Sequence, residues 1–210
     1  MNDISSHIQQ FLSFKGCFAW TTITELSTED LEQLSGYERE ELKEQTNVRR
    51  QREFVTSRLL LKKMAHQSLP VQDDIQIRKD ELGQPFAVCG DEQYFVSIAH
   101  TRQHVFCGIT VSKPIGIDLE PVERKVPSKL SKRISHPNES QAINEIPTVQ
   151  LWTIKEAYIK LRGEGLRMNM NEVCIQPSGA HFEAQLNNDK RAKICSFQSE
   201  NNWVAVAHYQ

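Results

Sequence analysis

No stretch of the 210-residue chain comes near the roughly twenty consecutive apolar residues that a membrane-spanning helix needs. The expectation is a protein without a transmembrane span. The N-terminus carries Asp3 early and lacks a basic segment followed by an apolar run, so no signal peptide is expected. An excess of either charge is missing too. The 25 Lys and Arg stand against 27 Asp and Glu, a formal net charge of −2. Such a balance gives no global pull towards nucleic acid or an anionic membrane, and recognition by charge has to come from local patches. The five cysteines, Cys17, Cys89, Cys107, Cys174 and Cys195, contain no C-x-x-C pair. An odd, scattered set argues against a disulfide framework or a thiolate zinc site. Reduced thiols in a cytoplasmic protein are the simplest expectation.

What is present is ordinary for a globular chain: 39% hydrophobic and 25% charged residues, with the apolar share a little low. The length allows one domain or two small ones and a sizeable core. Residues 1–25, with Phe11, Phe14, Phe18 and Trp20, read as a strand or arm packed on the body. Ser27 followed by Asp30 reads as a helix start, and the acidic segment 28–44 as a solvated helical surface. The next helix, about 46–67, mixes Arg49, Arg50, Arg52, Arg58, Lys62 and Lys63 with Phe54, Leu59, Leu61 and Met64. Arg58 falls on the stripe of Phe54, Leu61 and Ala65. A cation there needs an anion, either an internal Asp or Glu or a ligand phosphate.

Residues 73–78 alternate as a strand, Gly83-Gln84-Pro85-Phe86 signals a turn, and 94–100 with 104–111 read as a hairpin. Residues 121–147 are polar and locally basic, a loop with a short helix. Val173–Ile175, His181–Leu186, Ala192–Phe197 and Trp203–Ala207 read as an antiparallel meander.

Two stretches carry chemistry. Pro114–Pro121 alternates as a strand. Ile115, Ile117 and Leu119 point one way, and Gly116, Asp118 and Glu120 the other. Two carboxylates on one strand face repel each other, and a hard cation between them would turn that repulsion into binding. Gly116 beside them permits a close approach to the backbone. The second stretch, Leu151–Leu166, reads as a helix with Leu151, Ile154, Tyr158 and Leu161 on a buried face. Trp152, Glu156 and Lys160 stack on another face, and Gly163 and Gly165 end the helix. Taken alone, Glu156 and Lys160 are equally a surface pair of a few tenths of a kcal/mol.

Together, Gly116-Ile-Asp-Leu-Glu120, Trp152-Thr-Ile-Lys-Glu-Ala-Tyr-Ile-Lys160 and Gly163-Glu-Gly-Leu166 resemble the 4′-phosphopantetheinyl transferase family, of the surfactin-synthetase-activating type. The resemblance runs from about Arg49 to the C-terminus. It implies an α+β fold of two similar halves with antiparallel sheets, related by a pseudo-twofold, with the active site in the cleft between them. No internal sequence repeat supports this. The implied halves are 1–112, with the coenzyme-binding helix and hairpin, and 113–210, with the metal-binding strand and helix. A monomer is implied.

The implied reaction moves 4′-phosphopantetheine from coenzyme A to a serine of an acyl or peptidyl carrier protein and releases 3′,5′-ADP. Asp118, Glu120 and Glu156 would hold Mg²⁺ or Mn²⁺. Glu156, Lys160 and Glu139 would be catalytic, the serine proton going to Glu156 through water or to Glu139. Arg52, Arg58, Gly83, Gln84, Pro85, His100, Lys155 and Lys160 would bind the coenzyme. The chain departs from the family twice. Gln84 stands where a lysine is usual, which removes one charge from the nucleotide site, and Ala99 stands where the family has serine before the histidine. The resemblance implies an acidic carrier, for which Arg124–Arg133 is the expected docking patch. If helical, that patch would align Val122, Val126, Leu130 and Ile134 in one stripe. Two other functions share these residues: a Mg²⁺-dependent phosphohydrolase, and a non-catalytic carrier-binding module on the same fold.

Overall fold

Alternating apolar and polar residues build two antiparallel sheets, one in each of two units, Met1–Lys113 and Pro114–Gln210. The computed structural model describes every residue except 70, 72–73, 166–167 and 188. In the N-terminal unit the chain runs through β1 (Asn2–Asp3), α1 (Ser5–Gln9), β2 (Gly16–Thr22), α2 (Thr28–Glu32), α3 (Gly36–Lys43) and α4 (Val48–Ser68). A meander follows: β3 (Gln76–Lys79), β4 (Pro85–Cys89), β5 (Glu92–His100) and β6 (His104–Thr110). Asp73, expected to open the first strand of this meander, lies outside the described residues. The strands order as β1-β2-β6-β5-β4-β3. Leu60, Leu61, Met64 and Ala65 of α4 pack against Cys17 and Ala19 of β2 and against Val105, Cys107 and Ile109 of β6.

The acidic segment 28–44 differs from its expected form. It is two helices, because Ser35 and Glu38 form a second capping box after that of Ser27 and Asp30. It is also not simply solvated. Glu38 is fully buried, 3.0 Å from Lys62 Nζ, and accepts hydrogen bonds from the Ile77 and Ser35 amides. Lys62 also donates to Gln33 O at 2.7 Å. Buried charge is tolerable here because each partner is hydrogen-bonded as well as paired.

The C-terminal unit begins with β7 (Ile115–Pro121), continues through α5 (Ser128–Ile134), α6 (Gln141–Asn144) and α7 (Thr148–Arg162), and turns through a 3₁₀ segment, Met170–Glu172. A second meander closes it: β8 (Val173–Ser178), β9 (His181–Leu186), β10 (Ala192–Ser199) and β11 (Asn202–Tyr209), ordered β7-β11-β10-β9-β8. Each unit therefore places a strand and a long helix before a four-stranded meander whose last strand pairs with the first. The two similar α+β halves are present in the connectivity although the sequence shows no repeat.

The core of the C-terminal unit forms around α7. Leu151, Ile154, Ala157, Tyr158 and Leu161 are buried against Val173, Ile175, Ile194, Ala205 and Ala207. Gly163 ends the helix with φ +74°, a conformation that glycine adopts without Cβ strain. Leu166, which closes the expected motif, lies outside the described residues. On β7, Ile115, Ile117 and Leu119 are buried. On its other face α7 lies backbone against backbone. A Cβ built on Gly116 would run into Ala157 O and the backbone of Leu161.

Gly116→Ala is therefore expected to force α7 off the strand and to destabilise the unit by about 2 kcal/mol or more, in the range of overpacked cores. Urea unfolding followed by far-UV circular dichroism measures this. A variant as stable as wild type would mean that the helix yields without cost.

Candidate active site

α7 is fixed on β7 at Gly116, and two residues along the strand Asp118 meets the last turns of the helix. Lys160 Nζ donates to Asp118 Oδ1 at 2.7 Å. Asp118 is buried, and its second oxygen, Oδ2, has no hydrogen-bond partner among the described residues. Glu120, two residues further on the same strand face, takes a short ion pair from Arg124, whose guanidinium lies 4.8 Å from the centroid of the Trp152 ring. Trp152, Glu156 and Lys160 line one groove of about 700 Å³, as their four-residue spacing predicts.

The carboxylates act on each other. Burial pushes Glu120 up to about 7. Asp118 and, more weakly, Glu156 add to the rise, while Arg124 and Lys160 oppose it. Glu156 is also raised, first by burial and then by Asp118, against Lys160 and Arg124. Three carboxylates and two cations thus share one desolvated patch. Among the described residues no group of three or more carboxylate, histidine or cysteine side chains converges on a single metal position. The ion pairs account for this: Asp118 is drawn to Lys160, and Glu120 to Arg124. The donor set still suits a hard divalent cation. It is all oxygen, and the buried Asp118 Oδ2 has an unmet demand for positive charge.

Two residues expected in the chemistry are elsewhere. Lys155 is one of the expected coenzyme ligands and Glu139 one of the expected bases. Lys155 is 0% exposed. Its ammonium donates to Ile134 O at 2.5 Å, Val173 O at 2.9 Å and Met170 O at 3.2 Å, and lies 2.6 Å from Glu139 Oε1. Burial lowers its pKa, and Glu139 opposes the shift. Glu139 in turn accepts from the His136 amide at 2.9 Å and the Ile175 amide at 3.2 Å. All three ammonium donors are used and both side chains are fully buried, so neither group is presented to a ligand.

The arginine-rich helix also corrects its expected register. Arg58 is 4% exposed, with its guanidinium 3.9 Å from the Phe54 ring centroid and 3.5 Å from Glu41 Oε2. Burial lowers its pKa, and Glu41 and Glu38 counter this. Glu41 is the internal acidic partner nearest it, although Arg58 Nε and Nη2 and Glu41 Oε2 have no hydrogen bond among the described residues. Arg52 faces Glu25 at 3.1 Å on an exposed surface. Arg50 instead reaches His100 at 2.9 Å, and Glu53 anchors both Arg50 and Arg49 at 3.2 and 2.6 Å. Arg50 is not among the residues the resemblance implies for the coenzyme. The capping by Asn47 of the Arg49 and Arg50 amides is the signal that fixes the helix start. Gly83 and Gln84 lie in the turn between β3 and β4, with the Gln84 amide on Asp80 Oδ1 at 2.8 Å, and Pro85 opens β4 opposite Lys79. Phe86 pairs with Phe95, so this turn lies towards the His100 end of β5.

The expected docking stripe is broken. α5 spans only Ser128–Ile134, so Val122 and Val126 lie outside it, while Leu130 and Ile134 pack on the core. Lys129, Lys132 and Arg133 are exposed along α5.

Among the described residues no helix is long and apolar enough to cross a membrane, and none of the five cysteines is in a disulfide. Residues 114–207 match the family model of the 4′-phosphopantetheinyl transferase superfamily. The chain is 33% identical over 137 residues to the 4′-phosphopantetheinyl transferase gsp of Aneurinibacillus migulanus, covering 61% of this chain and 56% of that protein. It is 29% identical over 109 residues to the 4′-phosphopantetheinyl transferase HetI of a Nostoc species, covering 48% and 45%. To the 4′-phosphopantetheinyl transferase Sfp of Bacillus subtilis it is 25% identical over 111 residues, covering 50% and 49%. The chain spans about half the length of these curated relatives. The match begins where β7 begins and takes in both the Asp118–Glu120 strand and the Glu156–Lys160 helix, so over its C-terminal unit the chain is similar to the 4′-phosphopantetheinyl transferase superfamily.

Proposed function

We propose that this chain transfers 4′-phosphopantetheine from coenzyme A to a serine hydroxyl of an acyl or peptidyl carrier protein. The serine oxygen bonds to the phosphorus that bears pantetheine. The bond from that phosphorus to the bridging oxygen breaks, and 3′,5′-ADP leaves with the electron pair. The observation that carries this reading is the pairing of Lys160 with Asp118 beside Glu156, at the rim of an open groove, within the matched domain. A phosphohydrolase would use the same carboxylates on water, but the relatives are named as transferases and lend that reading no support.

The site has little covalent chemistry to perform, so positioning and charge neutralisation must lower the barrier. Asp118, Glu120 and Glu156 would hold Mg²⁺, or Mn²⁺ in its place. When bound, the cation offsets charge on the pyrophosphate oxygens. Lys160 is half-buried, reaches the same space and stabilises the leaving phosphate. Glu139 is occupied, which leaves Glu156, lining the groove, to accept the serine proton. In the N-terminal unit, Arg50 and Arg49, with His100 accepting from Arg50 through Nε2, form the basic cluster for the coenzyme's phosphates. Guanidinium geometry matches phosphate. Lys129, Lys132 and Arg133 offer an acidic carrier its local patch, next to the groove lined by Leu130, Ile134, Trp152 and Met170.

The direct test incubates an apo carrier protein with this chain, coenzyme A and Mg²⁺ and reads the carrier by mass spectrometry. A gain of one phosphopantetheine on serine is expected, and loss of coenzyme A without loading would favour the hydrolase. In the same assay Asp118→Ala and Glu156→Ala should lower kcat by about 10²-fold or more while the fold persists. Near wild-type transfer by either would remove the metal assignment.

Coenzyme recognition gives a second expectation. Arg50→Ala and His100→Ala should raise the KM for coenzyme A and erase its advantage over dephospho-coenzyme A, more so at low salt. Arg52→Ala should do neither. Steady-state kinetics with both coenzymes decides; equal effects from Arg50 and Arg52 would undo the register given above.

The carrier gives the third. The double reversal Lys129→Glu with Arg133→Glu should raise the KM for an acidic carrier through its on-rate and leave the KM for coenzyme A unchanged. Equal losses for both substrates would contradict docking at α5.

A further inference from the structure

Lys155 and Glu139 are the most buried opposite charges of the C-terminal unit, and the chemistry described above uses neither. A lone ion pair in a core is weak ground for stability, because the desolvation of both charges offsets their attraction. What sets this pair apart is what it holds. The Lys155 ammonium reaches three carbonyls from different segments: Ile134 at the end of α5, Met170 in the 3₁₀ turn, and Val173 at the start of β8. Glu139 adds the amides of His136 and Ile175. Ile134 and Met170 both line the groove beside Glu156 and Lys160. One side chain of α7 therefore ties two walls of that groove to its floor.

The walls and the floor are held differently. α7 is fixed independently, by its backbone contact with β7 at Gly116 and by its apolar face on β8, β10 and β11. α5 is a seven-residue helix whose first residue follows Pro127, with no side-chain cap hydrogen bond. Its inward contacts are Leu130 and Ile134. Loss of the Lys155 bonds would release the walls while Glu156 and Lys160 stay opposite Asp118.

We infer that Lys155 and Glu139 are a positioning pair that sets the shape of the groove receiving the carrier protein, and so governs acceptor recognition rather than coenzyme handling. This rests on the transferase reading. The occupant follows from the groove's chemistry. Its walls present Leu130, Ile134, Met168 and Met170 beside the polar Asn169, Asn171 and Glu172, and its α5 rim is cationic, with Arg133 in the lining and Lys129 and Lys132 exposed beside it. An acidic protein surface with an apolar ridge complements that arrangement.

Lys155→Met alone would strand Glu139 as an uncompensated buried charge, so the informative variant is Lys155→Met with Glu139→Gln, which retires both charges. Two measurements are made on the full chain. Hydrogen–deuterium exchange with peptide-level mass spectrometry should show faster exchange in 130–139 and 168–175, and unchanged exchange in α7 and in the N-terminal unit. Steady-state transfer should show the KM for an apo carrier raised about tenfold or more, as displaced binding walls predict. The KM for coenzyme A and kcat should stay within about twofold. Unchanged exchange, or faster exchange throughout, overturns the strut. Local loosening with an unchanged carrier KM, or with equal losses in both KM values, overturns the recognition role. A wild-type chain that loads no carrier overturns the transferase reading and the recognition role with it, while the exchange data still decide whether the strut exists.

Discussion

At Gly116 nothing separates the backbone of β7 from the backbone of α7 except the two α-hydrogens of glycine. Any side chain there would meet Ala157 O and the Leu161 backbone. Close approach of a second backbone is one of the few reasons for glycine inside a strand, where it otherwise weakens the pairing. The contact fixes helix against strand in rotation as well as in distance. With α7 seated there, Lys160 falls within 2.7 Å of Asp118, and Glu156, one turn earlier, adds its field to that of the strand carboxylates. An all-oxygen patch that would repel itself in an unordered chain is thus assembled by packing. Hydrophobic burial of Ile154, Tyr158 and Leu161 holds together what electrostatics alone would push apart.

The charged groups differ in how far they are hydrogen-bonded and in how much of them solvent reaches. Glu38 with Lys62, and Glu139 with Lys155, are paired sets in which backbone amides and carbonyls also bond each group. Such pairs fix geometry, and a ligand has no way to compete for them. Asp118 keeps an oxygen without a hydrogen bond, and Lys160, Arg50 and His100 remain partly exposed. An unbonded carboxylate oxygen and basic groups at a solvent-facing edge are what a cation or a phosphate can use.

This distinction explains what the sequence could and could not yield. The strand with Asp118 and Glu120, the helix with Trp152, Glu156 and Lys160, and the terminating Gly163 were all legible, because periods of 2 and 3.6 name the face without knowledge of the partner. Lys155 was not legible. It lies roughly 140° around the helix from Lys160, and on a helix buried on most sides either direction can lead to solvent or to a pocket of carbonyls. Nothing local announces that Ile134, Met170 and Val173 will present their oxygens to one ammonium. Arg58 failed in the opposite direction. Its apolar stripe was read correctly, but the anion that meets it, Glu41, comes from a helix whose acidic residues looked merely solvated. The choice of Arg52 over Arg50 turned on two residues of register, which the Asn47 cap determines and a window of helical periodicity does not.

The two units put the same scaffold to different ends. In each, a strand and a long helix precede a meander whose last strand returns beside the first. The β2 positions that face α4, Cys17 and Ala19, are small and join an apolar cluster with Leu60, Leu61 and Met64. The β7 positions that face α7 are Gly116 and then Asp118, with Glu120 following. The helix-facing side of the first strand therefore closes a dry core in one unit and opens a charged patch in the other. What changes is the side chains at two or three alternating positions, and the glycine that lets the helix come close enough to meet them. Fold and site are separable here, and the chemistry belongs to the substitutions rather than to the architecture.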